Sequence, residues 1–259
     1  MPPDTDARTH DPAHDPVRDP VRDQAHDPGR DLALLHEATN RLVRTVDGLE
    51  PEQWTGPSGL PGWTRAHVVA HLALNGEGLA SALRGVVAGA QVPMYASQEA
   101  RDGDIASLAT AEQGELRDRL LAASSSYAEA AASVPAELWG TRIERTPGGR
   151  TFSAAAAVGM RWREVEIHHV DLDAGYERSS WTPELCTNVL GAMAKRGVGA
   201  ESFTVRPLDL DGSWGYGDSP ADGPTVTGSA ADLAWWLTGR GSGDGVSSST
   251  GTLPQVGAW

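Results

Sequence analysis

One cysteine, Cys186, is the whole thiol content of this 259-residue chain, so no intramolecular disulfide can form and folding does not depend on an oxidising compartment. Cations are scarce as well. Lys and Arg number 21 against 35 Asp and Glu, a net charge of −14, which excludes the rows of positive side chains that a nucleic-acid backbone requires. No apolar run approaches the length of a membrane span, Ala154–Ala157 being short and weakly hydrophobic. The N-terminus lacks the basic segment and apolar stretch of a secretory signal. A cytoplasmic chain with neither nucleic-acid nor membrane partner is therefore expected. Phe and Tyr are few, at two and four, whereas Trp occurs nine times, and those indoles need buried apolar surroundings. The length suffices for one large domain or two of ordinary size.

Along the chain, the periodicities divide it in three. Residues 1–30 repeat Asp-Pro and contain the tandem Asp15-Pro-Val-Arg-Asp-Pro-Val-Arg22; with almost nothing apolar to bury, this tail is expected to be disordered, and its His10, His14 and His26 to be incidental. Leu35, Leu42, Val46 and Leu49 then recur at helical spacing, which predicts an amphipathic helix over about 31–49. Further helices are predicted over 64–88, 110–134 and 153–173, with a loop at 49–62 and a connector at 91–107. Four helices without a strand signal suggest a bundle over residues 31–175. After Gly175 the pattern turns mixed. Thr182-Pro183-Glu184 opens a helix closing near Gly197, Phe203, Val205, Leu208 and Leu210 alternate like a strand, and Asp211-Gly212 signals a hairpin into Ser213–Tyr216. Pro224–Thr227 is another short strand, and Ser229 to Asp232 resembles a capping box ahead of a helix over 230–238. The fold class expected is α+β, with a small α/β domain at 176–259 following the helical one.

Two predicted helices carry metal-binding chemistry. The helix opened by Pro61-Gly62 and Thr64 places His67 and His71 one turn apart, and that over 153–173 does the same with Glu164 and His168. Each pair alone is weak, because helical His and Glu at this spacing are common. Together they gain, since Val68, Val69 and Leu72 on one helix and Ile167 and Val170 on the other imply burial, and buried polar groups need partners. Two imidazoles and a carboxylate suit zinc and leave a fourth position open. At most three of His67, His71, Glu164, His168 and His169 can be direct ligands, and Asp171 is a candidate acceptor behind a ligand histidine.

Pro61-Gly-Trp-Thr-Arg-Ala-His-Val-Val-Ala-His71 and Arg163-Glu-Val-Glu-Ile-His-His-Val-Asp-Leu172 resemble the two metal segments of the DinB-like four-helix bundles, specifically the mycothiol-dependent maleylpyruvate isomerase family. Thr225-Val-Thr-Gly-Ser-Ala-Ala-Asp-Leu-Ala-Trp-Trp-Leu-Thr-Gly-Arg240 is similar to that family's small, sterol-carrier-like C-terminal domain, and the ending Leu253-Pro to Trp259 matches it in part. The resemblance implies His71, Glu164 and His168 as the metal ligands. His71 is preferred to His67 because the family's ligand lies eight residues after the Trp, here Trp63, which leaves His67 and His169 as polar or packing residues. It also implies that Arg240 is catalytic, pairing with a carboxylate of the substrate or of the thiol cofactor. Without the resemblance Arg240 reads as a cation favouring a helix C-terminus.

The activity so implied is a zinc- and mycothiol-dependent cis–trans isomerisation of maleylpyruvate to fumarylpyruvate by reversible thiolate addition. Its partners would be a small-molecule thiol and a small anionic substrate, in a monomer or small homo-oligomer. A mycothiol S-transferase acting on another electrophile would use the same residues. A non-catalytic ligand-binding protein, with the bundle as scaffold, is the alternative of another class.

Overall fold

In the computed structural model, the structure describes residues 28–197, 199 and 201–257. Most of the expected tail, and Trp259 at the other end, lie outside the described residues. The first helix, α1 (Pro28–Asp47), begins three residues inside the segment assigned to the tail, and Arg30 already reaches Glu184 at 3.0 Å. Its apolar stripe of Leu35, Ala38, Leu42 and Val46 is buried. A short helix, α2 (Pro51–Trp54), interrupts the expected loop and delivers Trp54 into the core.

The next helix, α3 (Arg65–Ala88), is capped by Thr64, whose hydroxyl accepts from the His67 amide, and closes at Gly89 in the left-handed region, φ 67°. The segment expected as a connector contains α4 (Gln98–Leu108), capped by Ser97. It bears only Ile105 and Leu108 as buried residues, too few for its period to stand out in the sequence. Then follow α5 (Gln113–Ala132) and α6 (Ala154–Asp171), the latter capped by Ser153. Between them β1 (Arg142–Glu144) and β2 (Thr151–Ser153) pair antiparallel, Ile143 opposite Phe152. This hairpin was not expected. The four long helices close a bundle in which α3 packs on α5 and α6, and α1 on α6 and α5.

The C-terminal domain opens with α7 (Pro183–Arg196), capped by Thr182 as its sequence predicts. Its strands are β3 (Phe203–Pro207), β4 (Trp214–Tyr216), β5 (Thr225–Gly228) and β6 (Ser247–Ser248), in the order β4-β3-β5-β6. Only the β3–β5 pair is parallel. The expected strand through Leu210 stops at Pro207, because the inward alternation of Phe203, Val205 and Pro207 ends there: Asp209, next in that phase, is exposed. The last helix, α8 (Ala230–Leu237), packs on α7 and on the sheet, with Phe203 stacked on Tyr216 and Trp236 tilted against it. The architecture is thus a helical domain followed by a small sheet domain. No helix among the described residues is long and apolar enough to cross a membrane.

Candidate functional site

The two histidine-bearing helices meet face to face. His71 on α3 and His168 on α6 are buried, with ring centroids 4.5 Å apart and edge to face. Glu164, one turn before His168, sits between them: its Oε2 lies 2.9 Å from His71 Nε2 and 3.2 Å from His168 Nε2. One ligand atom from each of the three residues falls within 4.8 Å of the other two. The one-turn spacing on α6 does this work, since residues four apart stand one above the other on a helix face.

The charges follow from the packing. Burial alone would raise the Glu164 carboxyl, but hydrogen bonds from both histidines outweigh it and hold it well below the usual carboxylate range. Burial first, and the neighbouring His168 second, push His71 down to about 4. A guanidinium can only donate, so Arg101 Nη2, 3.2 Å from His71 Nδ1, assigns the proton of neutral His71 to Nε2 and directs it at Glu164. His168 goes the other way. Burial works against its charge, but bonds to Asp171 and Glu164 raise it above its ordinary value.

Behind His168 stands a second layer. Asp171, 1% exposed, accepts from His168 Nδ1 at 2.8 Å. The other acceptor sites of the same carboxylate are filled by Arg240: Nε to Oδ1 at 2.8 Å and Nη2 to Oδ2 at 2.7 Å. Arg240 was expected to pair with a carboxylate of the substrate or thiol. The structure seats it on Asp171, from just beyond α8, with its guanidinium also 5.6 Å from the Trp235 ring and the side chain on the cavity wall. Asp171 was read only as a candidate acceptor, and it is the hinge of this arrangement.

The two histidines set aside in the sequence have other partners. His67 Nδ1 lies 2.7 Å from Thr64 Oγ1 and closes the capping box of α3. His169 is bonded to Thr45 through Nε2 at 2.7 Å and stacks on Tyr176 at 3.8 Å.

His71, Glu164 and His168 open into a cavity of about 730 Å³ between the two domains, within the range that holds a small ligand. Trp63 lines it, edge-on to His71 at 5.7 Å. So do six arginines, Arg101, Arg145, Arg150, Arg163, Arg196 and Arg240, whereas Glu164 is the only acidic lining residue among the described residues. For a chain of net charge −14 that is a reversal of the average surface. Apart from Arg240 these arginines went unread in the sequence. The turn Thr146-Pro-Gly-Gly149 between Arg145 and Arg150 carries a hairpin signal that would have brought those two together.

The comparisons with known proteins now have a geometry to meet. The family model for the mycothiol maleylpyruvate isomerase N-terminal domain matches residues 35–173, and that for the MDMPI C-terminal domain matches residues 180–257. No curated protein matches the chain. Among solved structures, the crystal structure of the mycothiol-dependent maleylpyruvate isomerase superposes with a TM-score of 0.80 at 28% identity, covering 90% of this chain and 97% of that one. The crystal structure of a histidine-to-alanine mutant of that enzyme gives the same values. With one domain model ending at 173 and the other beginning at 180, on either side of the cavity just described, the chain belongs to the mycothiol maleylpyruvate isomerase family of enzymes.

Proposed function

We propose that the chain is a mycothiol- and metal-dependent isomerase that converts maleylpyruvate to fumarylpyruvate, with His71, Glu164 and His168 holding one divalent cation. The observation that carries the reading is the convergence of those three residues, ligand atoms within 4.8 Å, on one end of the cavity. The donor set fits a metal: two imidazole nitrogens and an ionised carboxylate oxygen, with a cavity where further ligands would stand. This chemistry suits zinc, which takes three protein ligands in its catalytic sites. When bound, such a cation supplies the means to hold a thiol in its deprotonated, nucleophilic form at neutral pH.

The chain's own residues account for the rest. Asp171 holds His168 by Nδ1 and so keeps Nε2 turned to Glu164 and the cavity. Arg240 fixes Asp171 from the C-terminal domain, which makes it a positioning residue. The burial of His71 and His168 limits water at the reacting end, where charges interact more strongly. The arginine-lined wall draws an anionic acid into a protein that would otherwise repel it. Cys186 is not the nucleophile. It is buried on α7 outside the cavity wall, and burial first, with the Asp209 charge second, pushes its thiol up to about 12. The thiol has to come from a small molecule.

Purified protein supplied with mycothiol and maleylpyruvate should form fumarylpyruvate with no net loss of thiol. Stoichiometric thiol consumption with a retained sulfur adduct would instead identify an S-transferase. No turnover of either kind at full metal occupancy would sink the proposal.

A further inference from the structure

The arginines of the cavity are not equivalent. Elsewhere in the chain some guanidinium groups are held by neutral acceptors, as Arg161 is by Leu72 and Asn75, and others find carboxylates, as in Arg41–Glu166, Arg119–Glu77 and Arg178–Asp232. Two at the cavity do the same, Arg101 with Asp102 and Arg240 with Asp171. Arg145 and Arg163 are held differently, by neutral acceptors. Arg145 Nη1 donates to Gln98 Oε1 at 2.7 Å and lies 5.4 Å from the Tyr95 ring, and Arg163 Nη1 donates to Asn188 Oδ1 across the domain boundary. Arg150 is in no ion pair among the described residues. These three share a cavity wall in which Glu164 is the one acidic side chain among the described residues. Glu144, on the same hairpin, is turned away and accepts from the Gly148 amide at 3.1 Å.

The wall is also built before any ligand arrives. The Arg145 amide donates to the Arg150 carbonyl at 2.8 Å and closes the hairpin turn. The amides of Met94 and Tyr95 donate to the Glu144 and Arg145 carbonyls at 3.0 and 2.9 Å and pin the hairpin against the bundle. Arg163 stands one residue before Glu164 on α6, and Arg196 reaches the cavity from the last turn of α7.

The geometry points to a second anion subsite, formed by Arg145 and Arg150 of the β1–β2 hairpin with Arg163, that receives the carboxylate of a dianionic substrate remote from the end held at His71, Glu164 and His168. Guanidinium groups match a carboxylate two bonds at a time, and neutral side chains hold Arg145 and Arg163 without filling that role. The subsite selects a dicarboxylate over a monocarboxylate. It deepens the isomerase reading and rests on it for the identity of the reacting end. The mycothiol skeleton carries no carboxylate, so the subsite serves the acid and not the thiol.

The test uses the metal-loaded full chain and the variants Arg150→Gln and Arg145→Gln, both on the hairpin and away from the bundle core, with thermal melting to establish that each folds. Each lost charge-assisted pair should raise KM for maleylpyruvate about tenfold while KM for mycothiol stays within about twofold. A calorimetric titration with heptanedioate, a saturated seven-carbon dicarboxylate that cannot react, should show binding to the wild type, about tenfold weaker binding to either variant, and little binding of heptanoate. An unchanged KM for maleylpyruvate, or a rise confined to mycothiol, overturns the subsite and leaves the isomerase reading standing. If the wild type turns over no maleylpyruvate, the reading of the reaction falls and the titration alone decides. Heptanedioate binding lost in the variants keeps the subsite, and binding that is absent or indifferent to the variants removes it.

Discussion

Asp171→Asn is the most informative single change, because it alters charge and hydrogen bonding without altering shape. The wild-type carboxylate accepts on both oxygens: Oδ1 from Arg240 Nε, and Oδ2 from Arg240 Nη2 and His168 Nδ1. An asparagine amide keeps one acceptor oxygen and turns an NH₂ group toward a donor, whichever way it flips. Either His168 loses its orienting partner or the Arg240 guanidinium, with its side chain only 10% exposed, faces another donor. Breaking a buried ion pair from one side costs on the order of 3–5 kcal/mol; since Arg240 borders the cavity, about 3 kcal/mol is the better figure, or a melting temperature lower by about 6–12 °C for a chain of this size. The loss of an acceptor behind a ligand histidine should also weaken metal binding about 10- to 100-fold. Melting of metal-free protein reads the first effect, and competition against a chromophoric chelator reads the second. Arg240→Gln should leave the His168–Asp171 bond in place and so weaken metal binding less than Asp171→Asn does. A D171N protein that melts and binds zinc like the wild type would refute the coupling of Arg240 to His168 through Asp171.

Purified protein should carry one equivalent of divalent metal. Prolonged chelation should remove both metal and activity, zinc should restore them, and full activity after verified removal would contradict the proposed role of His71, Glu164 and His168. Stability should fall in mild acid through His169, which burial first and the Arg41 charge second push down to about 3 in the folded chain. The unfolded chain takes up that proton near pH 6.5, so the stabilisation is complete above that value and lost as pH falls toward 3, by about 2 kcal/mol between pH 6.5 and 5. Urea unfolding of wild type and His169→Gln at pH 7 and pH 5 measures it, and equal pH dependence in both would exclude His169 as the source. Cys186, with its thiol pushed up to about 12, should resist iodoacetamide at pH 8 in native protein and react once urea exposes it; rapid native labelling would mean that α7 opens locally.

The long helices were legible because their burial is periodic. Leu35, Leu42 and Val46 mark α1, and Thr64, Ser153 and Thr182 stand where caps are needed and accept the expected amides. Where burial is sparse the signal failed. The helix α4 buries two side chains, and the β1–β2 strands are three residues each, below the length at which alternation can be told from chance. That a histidine of α3 would meet Glu164 and His168 was anticipated from one-turn spacing on two apolar helices, a local property, whereas the choice of His71 over His67 came from the family resemblance. The Asp171–Arg240 contact joins residues 69 apart in sequence, and no local pattern could specify it.

That contact also ties the two domains of this chain together. A His71, Glu164 and His168 site requires only α3 and α6, which pack directly on each other within the bundle. His168, however, lies in the last turn of α6, and its Nδ1 is bonded to Asp171 at the end of that helix. Its orientation therefore depends on Asp171, and Asp171, buried and charged, depends on a cation that the bundle does not contribute. Arg240 supplies it from beyond α8, at the cavity wall. The domain that walls the cavity with Arg196 is the one that steadies His168 through Asp171. A displacement of the C-terminal domain would therefore alter metal binding and anion binding together, although no residue of that domain is among the three proposed metal ligands.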